Sequence, residues 1–154
     1  MHREELLLSP IAYMPPPRIL EGLSPEDAAR RIPGVTHSIV EILAHVVFWQ
    51  KWFLNRCTGV AIPPASSAAD GWPSATAADW EPLRERFLSG LHRALELPGE
   101  GRVDPPIEFP PLANYTIADA MTHLGQHNAH HLGQIVVLRQ ALGAWPPPGG
   151  SLTW

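Results

Sequence analysis

Eighteen prolines lie in clusters along this 154-residue chain and restrict where long helices can form. Proline inside a helix removes a backbone hydrogen bond and clashes with the preceding turn. The prolines occupy positions 10, 15–17, 25, 33, 63–64, 73, 82, 98, 105–106, 110–111 and 146–148. Two long intervals, 34–62 and 112–145, contain none. These two intervals are therefore the strongest candidates for long helices.

The first interval predicts a helix from about Ser38 to Thr58. Ser38 and Glu41 match the capping box, a pattern that marks the start of a helix. Gly59 follows the helix, and glycine is typical just after a helix end. Apolar residues recur at helical spacing between these signals: Ile39, Ile42, Leu43, Val46, Trp49, Trp52 and Phe53.

The second interval predicts a helix from about Thr116 to Leu142. Thr116 and Asp119 resemble a capping box, and Gly143 is a typical C-terminal stop. Gly125 and Gly133 inside this helix each cost about 1 kcal/mol relative to alanine. Close packing of a neighbouring helix would offset that cost.

Further helices are predicted elsewhere. A third long helix from about Thr76 to Leu97 is indicated by Leu83, Phe87, Leu91 and Leu95, which repeat every four residues. Shorter helices are predicted over Arg3–Met14, which Pro10 interrupts, and over 24–31, where Ser24 precedes Pro25 as a cap. The joints 59–75 and 98–115 are expected to be ordered loops that cross one end of a bundle or cover a pocket. Because no segment shows strand alternation, the expected fold class is all-α.

Composition limits the function classes. Hydrophobic residues make up 45% of the chain and charged residues 17%, which is typical of a globular protein. The net charge of -4 gives no electrostatic case for binding nucleic acid or an anionic membrane. The single cysteine, Cys57, excludes an internal disulfide framework. No apolar run approaches the ~20 residues of a spanning helix, and the N-terminal residues are a poor signal peptide. We expect one domain over residues 1–154, located in the cytoplasm.

Four histidines lie close together in the second long helix: His123, His127, His130 and His131. Histidines four residues apart share one helix face and can bind a single metal ion. Two such pairs exist, His123 with His127 and His127 with His131, and the spacing does not choose between them. Burying several imidazoles is costly unless each finds a partner, and this favours a metal site. The alternative is a hydrated, partly exposed histidine-rich face.

His45 lies in the first long helix, on the apolar face that should turn inward. Alone, it is more typical of a core histidine that bonds a backbone carbonyl or water. Together with two histidines of the second helix it would provide three protein ligands and leave one coordination position open, as in catalytic zinc sites. Glu41, one turn earlier, is a weak candidate for orienting His45 or for acting as a base. A surface carboxylate that caps the helix is the more ordinary interpretation of Glu41.

Six tryptophans are the remaining unusual feature. They are most simply core and loop anchors, although some could form the walls of a pocket above a metal. The sequence does not say which of them would do so. They are Trp49, Trp52, Trp72, Trp80, Trp145 and Trp154.

These segments resemble the DinB/YfiT-like family. The last-helix signature of that family, H-x-x-x-H-x-G-Q-I followed by Leu-Arg and a Leu-Gly stop, is matched by HNAHHLGQIVVLRQALG. The segment HSIVEILAHVVFWQKWFL resembles its second helix, and LEGLSPEDAARRIPG resembles the connection before that helix. Leu132 departs from the family, which often has arginine there. The resemblance implies an antiparallel four-helix bundle with a long crossover connection.

The resemblance also implies a site and a chemistry. The metal ligands of the family correspond to His45, His127 and His131. The residues expected around these ligands or in the pocket are His123, His130 and Trp49. The cofactor would be one divalent transition metal, zinc or nickel, with a low-molecular-weight thiol as a possible second cofactor. The activity implied is that of a thiol-dependent S-transferase or a hydrolase on a small-molecule electrophile. A non-catalytic, stress-related metal-binding bundle is the alternative. Because relatives are often dimers, a homodimer is also a hypothesis.

Overall fold

The structure is a computed structural model that describes residues 3–8 and 13–150. These residues form helices and loops without a named strand, which confirms the predicted all-α class. The helices are α1 (Arg3–Leu8), α2 (Pro16–Leu20), α3 (Pro25–Ala29), α4 (Ile39–Cys57), α5 (Trp80–Glu96) and α6 (Ile117–Ala141). Short 3-10 turns cover Ala68–Gly71, Ala77–Asp79 and Pro110–Leu112.

The three long helices begin and end close to the predicted residues. At the start of α4, the Glu41 carboxylate accepts hydrogen bonds from the Ser38 backbone N–H at 2.8 Å and from its hydroxyl at 2.9 Å. At the start of α6, the Thr116 hydroxyl accepts from the Asp119 N–H at 3.0 Å, and Asp119 accepts in return. These bonds satisfy backbone donors that have no partner inside the helix.

The N-terminal prediction was partly wrong. Helix α1 covers Arg3–Leu8, and Met14 lies outside any helix. Residues 9–12 lie outside the described part of the chain, so that stretch of the prediction stays untested.

Helix α2 was missed because its prolines were interpreted as breaks. Pro16 is its first residue and follows Pro15 as the N-cap. Proline is tolerated in the first helical turn, where the missing N–H has no helical partner anyway. A proline cluster therefore allows a short helix to begin directly on it.

Helix α4 is central to the packing, because it lies against both α5 and α6. The buried residues of α4 and α6 form one core with those of α5 and the N-terminal helices. Arg139 is buried near the end of α6 and links this helix to α2. Its guanidinium donates to the carbonyls of Ile19 and Ala144. No helix of residues 3–8 and 13–150 is both long and apolar enough to cross a lipid bilayer.

Glycine makes room for a neighbouring side chain at two of the three helix positions Gly90, Gly125 and Gly133. A Cβ atom at Gly90 of α5 would lie 2.0 Å from Oε1 of Gln50, a buried side chain whose amide donates to the Phe87 carbonyl. A Cβ atom at Gly125 would overlap Leu6 of α1. A Cβ atom at Gly133 would meet nothing within 4 Å, so close packing offsets the cost of glycine at Gly125 and not at Gly133.

We expect the substitutions Gly90→Ala and Gly133→Ala to have opposite effects on stability. Gly90→Ala displaces the buried Gln50 amide and should lower the free energy of unfolding by about 1–3 kcal/mol. Gly133→Ala fills open space in a helix interior and should raise it by about 0.5–1 kcal/mol. Urea denaturation followed by circular dichroism measures both, and a stability loss of equal size in the two variants would contradict the packing argument.

Candidate metal centre

Helices α4 and α6 bring three predicted histidines together: His45, His127 and His131, hereafter the three-histidine cluster. One ring nitrogen from each lies within 4.8 Å of the others. The Nε2 atoms of His45 and His127 are 3.1 Å apart, and the His127 and His131 rings are edge-on with centroids 4.5 Å apart. The i, i+4 spacing on α6 therefore points both of its rings toward the same ring of α4.

His45 is held by the loop between α4 and α5. Its Nδ1 atom lies 2.6 Å from the Gly71 carbonyl oxygen, which can only accept a hydrogen bond. The ring proton is therefore on Nδ1, and Nε2 carries the lone pair that faces the cluster. Trp72 stacks on the His45 ring at a centroid distance of 3.8 Å, and His37 stacks on the far side of Trp72.

His131 is oriented from within its own helix. Its Nδ1 atom lies 2.7 Å from Oε1 of Gln134, one turn later in α6. The Gln134 amide nitrogen is 3.2 Å from Nε2 of His130. The amide oxygen can only accept, so the His131 proton is on Nδ1 and its Nε2 atom has a free lone pair. A partner on the outer nitrogen is the usual arrangement around metal-ligating histidines.

His127 provides the test of whether a cation fits the cluster. Its Nδ1 atom is buried and has no hydrogen-bond partner among residues 3–8 and 13–150. Its Nε2 atom faces the His45 lone pair. In the neutral ring one nitrogen donates and the other accepts, so either tautomer leaves one polar position unsatisfied. A divalent cation would give the converging Nε2 lone pairs a common partner, and the donor set therefore fits a metal.

The cluster is held in the neutral form that metal binding requires. Burial, together with the neighbouring histidines, lowers the pKa of His127 to about 3. Burial also lowers the pKa of His45, although its bond to Gly71 opposes the shift. Burial likewise lowers the pKa of His131 against the opposing effect of Gln134. At neutral pH the imidazoles therefore keep the lone pairs that a metal ion needs.

A cavity of about 370 Å³ lies beside His127. We call it the aromatic pocket, because Trp49, Trp52, Phe53 and Phe109 contribute to its walls. The 59–75 loop supplies part of its lining, and covering a pocket was one of the two positions expected for that loop.

The remaining sequence candidates lie around the cluster in different ways. His123 forms part of the aromatic pocket, and its Nδ1 atom is 3.1 Å from the Tyr115 hydroxyl. Trp49 also lines the pocket. His130 is exposed and contacts the cluster through Gln134 and through the His131 ring.

The other tryptophans serve mostly as anchors. The indole N–H of Trp52 donates to the Pro63 carbonyl, and that of Trp80 donates to the Leu23 carbonyl. Trp145 lies beside the Arg139 guanidinium. Trp154 lies outside the described residues.

Glu41 caps α4 and does not orient His45. Its carboxylate bonds Ser38 and, at 2.6 Å, the Arg31 guanidinium. Burial alone would raise the pKa of Glu41, but the Ser38 hydrogen bonds and the Arg31 charge outweigh it and lower the pKa. The suggested orienting role belongs instead to the Gly71 carbonyl, and the capping interpretation of Glu41 agrees with the structure.

Sequence reasoning missed three residues that support the cluster, His37, Gly71 and Gln134, and it named Trp72 only as one of six tryptophans that could anchor a loop or line a pocket. Gln134 could have been found, because it follows His131 by three residues on the same helix face. The other three come from connecting segments, whose position over His45 has no periodic signal in the sequence.

Comparison with known proteins identifies the family of the chain. A family model described as the DinB superfamily matches residues 17–135, a span that contains all three histidines of the cluster. The chain therefore belongs to the DinB superfamily. No curated protein and no solved structure gives a significant match.

The Gln134 contact generates a prediction about metal affinity. We expect Gln134→Ala to weaken zinc binding about 10–100-fold, because His131 loses the acceptor that fixes its tautomer. Competition with a chromogenic chelator measures the affinity. Gln140→Ala, on the exposed side of the same helix, is the matched control and should bind zinc as the wild type does. Equal affinities in all three proteins would show that Gln134 does not support the site.

Gly71 generates a second prediction. A Cβ atom there would lie 2.7 Å from the indole nitrogen of Trp49, so Gly71→Ala should push the loop away and lengthen the hydrogen bond to His45. We expect zinc affinity to fall about 10–100-fold. Gly99→Ala, in a loop with open space, is the control. Unchanged affinity in Gly71→Ala would mean that the loop does not position His45.

Proposed function

We propose that this chain is a metal-dependent enzyme that acts on a small-molecule electrophile. The observation that carries the proposal is the convergence of three imidazole nitrogens within 4.8 Å, with one of their rings at the wall of a 370 Å³ pocket. Three protein ligands leave an open coordination position, which is typical of catalytic and not of structural zinc sites.

His45, His127 and His131 would hold the metal. Imidazole suits zinc and nickel alike, so both are candidates. When bound, such a metal acts as a Lewis acid and lowers the pKa of a water or thiol that occupies its open position.

The residues around the cluster would prepare it for this role. The Gly71 carbonyl and Gln134 fix the tautomers of two ligand rings, so that little reorganisation is needed when a metal binds. The aromatic pocket would bind the apolar part of the substrate and exclude bulk water from the reacting atoms.

Two reactions are compatible with this arrangement. In S-transfer, the sulfur of a low-molecular-weight thiol bonds to an electrophilic carbon, the leaving group takes the bonding electron pair, and the thiol proton is released. In hydrolysis, water adds to an electrophilic carbonyl, the bond to the leaving group breaks, and the water proton passes to that group. We favour S-transfer because of the family resemblance, and this choice rests on analogy.

The alternative is a non-catalytic metal-binding bundle. A fourth protein ligand and a closed site would favour it. Among residues 3–8 and 13–150, only three side chains form the candidate cluster, and a pocket adjoins it. Both features support the enzyme proposal.

Metal content is the first test. We expect untagged wild-type protein to carry about one equivalent of zinc or nickel by elemental mass spectrometry, and His127→Ala to carry much less because one of three ligands is lost. His92→Ala, which removes an exposed histidine of α5, is the matched control and should retain the metal. If wild-type protein contains no metal and takes up none on titration, the proposal fails.

Activity is the second test. Metal-loaded protein should accelerate either the reaction of a small thiol with 1-chloro-2,4-dinitrobenzene or the hydrolysis of 4-nitrophenyl acetate. His127→Ala and chelator-treated protein should lose that activity, whereas His92→Ala should keep it. A full equivalent of metal without any turnover above the chelator-treated protein in a broad panel of electrophiles would favour the non-catalytic alternative.

A further inference from the structure

The walls of the aromatic pocket are mostly apolar. Four aromatic side chains, Trp49, Trp52, Phe53 and Phe109, surround it together with Leu112. Trp52 and Phe53 are buried, whereas Phe109 stands at the opening with half of its surface exposed. Aromatic rings prefer offset-stacked or edge-to-face contact with other rings. A flat, unsaturated ligand matches such walls better than a flexible polar one.

No lysine, arginine, aspartate or glutamate lines this pocket in the described part of the chain. A charged ligand that entered it would lose its hydration without gaining an ion pair, which is costly. The second cavity near the cluster is different, because His37, His130 and Gln134 contribute to its walls. His37, His130 and Gln134 thus contribute their polar groups to a cavity different from the aromatic pocket.

His123 is the polar group best placed to orient a ligand in the aromatic pocket. Burial lowers its pKa, so that the ring is neutral. Its Nδ1 atom pairs with the Tyr115 hydroxyl at 3.1 Å. Nδ1 of His123 is the one acceptor for the Tyr115 hydroxyl among residues 3–8 and 13–150, which favours donation from the tyrosine to Nδ1 and a ring proton on Nε2. Nε2 of His123 has no hydrogen-bond partner among the same residues. His123 can then donate one hydrogen bond to an oxygen of the ligand.

We infer that the aromatic pocket binds an uncharged aromatic small molecule that carries one hydrogen-bond acceptor, and that His123 recognises this acceptor. The volume of about 370 Å³ lies at the lower end of the range of roughly 300–1,000 Å³ for ligand pockets, which favours a ligand of one or two rings. The inference rests on the proposed function, because it names the substrate class of that site. An anionic thiol such as a peptide with free carboxylates would have to bind elsewhere.

Three probes of the same shape test the charge preference. They are 2-naphthol, which has a hydroxyl, naphthalene, which has none, and naphthalene-2-sulfonate, which is an anion. Equilibrium dialysis against full-length protein, metal-free and zinc-loaded, gives the three affinities. We expect 2-naphthol to bind at least tenfold more tightly than the sulfonate in both forms. Equal or tighter binding of the sulfonate would overturn the inference.

A matched pair of variants tests the location of the probe. Phe109→Ser removes an aromatic wall at the pocket opening, and Val60→Ser removes a residue of the same exposure outside the pocket, 49% against 50%. Both side chains are exposed, so neither change should unfold the protein. We expect a fall in 2-naphthol affinity of at least threefold for Phe109→Ser and less than 1.5-fold for Val60→Ser, on the order expected for lost apolar contact. Equal effects would place the probe elsewhere.

His123→Phe tests the role of the polar group, because it keeps an aromatic ring and removes the donor. We expect 2-naphthol to bind about five- to tenfold more weakly, as for a lost hydrogen bond, and naphthalene to bind within twofold of wild type. A parallel loss for both probes would overturn the role of His123. Melting curves of the same samples confirm that the variant is folded.

The zinc content of the same samples separates failure of this inference from failure of the proposed function. Protein that holds zinc but does not prefer 2-naphthol refutes the inference and leaves the metal-dependent enzyme standing. Protein that prefers 2-naphthol but takes up no zinc refutes the proposed function, and the pocket then binds neutral aromatic molecules for another purpose.

Discussion

The burial of three imidazoles between α4 and α6 determines much of the surrounding structure. A buried polar ring must find partners for its nitrogens, or it destabilises the fold. In this chain two of the rings find outer partners, the Gly71 carbonyl and the Gln134 amide, and each of the three rings turns one nitrogen toward the others. Residues of the connecting loop and of α6 thus supply hydrogen-bond partners for His45 and His131. A metal ion would provide a partner for the ring nitrogens that face the cluster.

The long helices could be predicted from the sequence because their signals are local. Proline-free intervals, capping residues and apolar spacing placed α4 and α6 within about two residues of their observed ends. Helical periodicity placed His45 on the inward face of α4 and left two candidate histidine pairs on one face of α6. The choice of His127 with His131 over His123 with His127 required the family resemblance, since the spacing is the same in both pairs. The structure gives His123 a different partner, Tyr115.

The parts that could not be predicted depend on long-range contacts. Nothing in the sequence around Gly71 and Trp72 indicates that this loop would fold back onto His45, because loops lack a periodic pattern. Helix α2 was hidden by the prolines that begin it. Glu41 was considered for chemistry because it lies one turn from His45, yet its carboxylate points back to the helix start and to Arg31. The spacing of Glu41 and His45 shows only that they share a face of α4. The hydrogen-bond partners of each side chain depend on which other segments of the chain pack beside it.

The 59–75 loop contributes at both ends to neighbouring parts of the site. Ala65 and Ser67 form part of the aromatic pocket, while Gly71 holds the ring of His45. Substitutions at Ala65 or Ser67 can change which molecules the pocket binds. At Gly71 a side chain has no room, because its Cβ atom would lie 2.7 Å from the indole nitrogen of Trp49. The preference of the pocket for small molecules can therefore change in evolution while the position of the His45 ring stays the same. Grafting residues 61–67 from another member of the superfamily offers a route to new selectivity that leaves all three histidines and their supports in place.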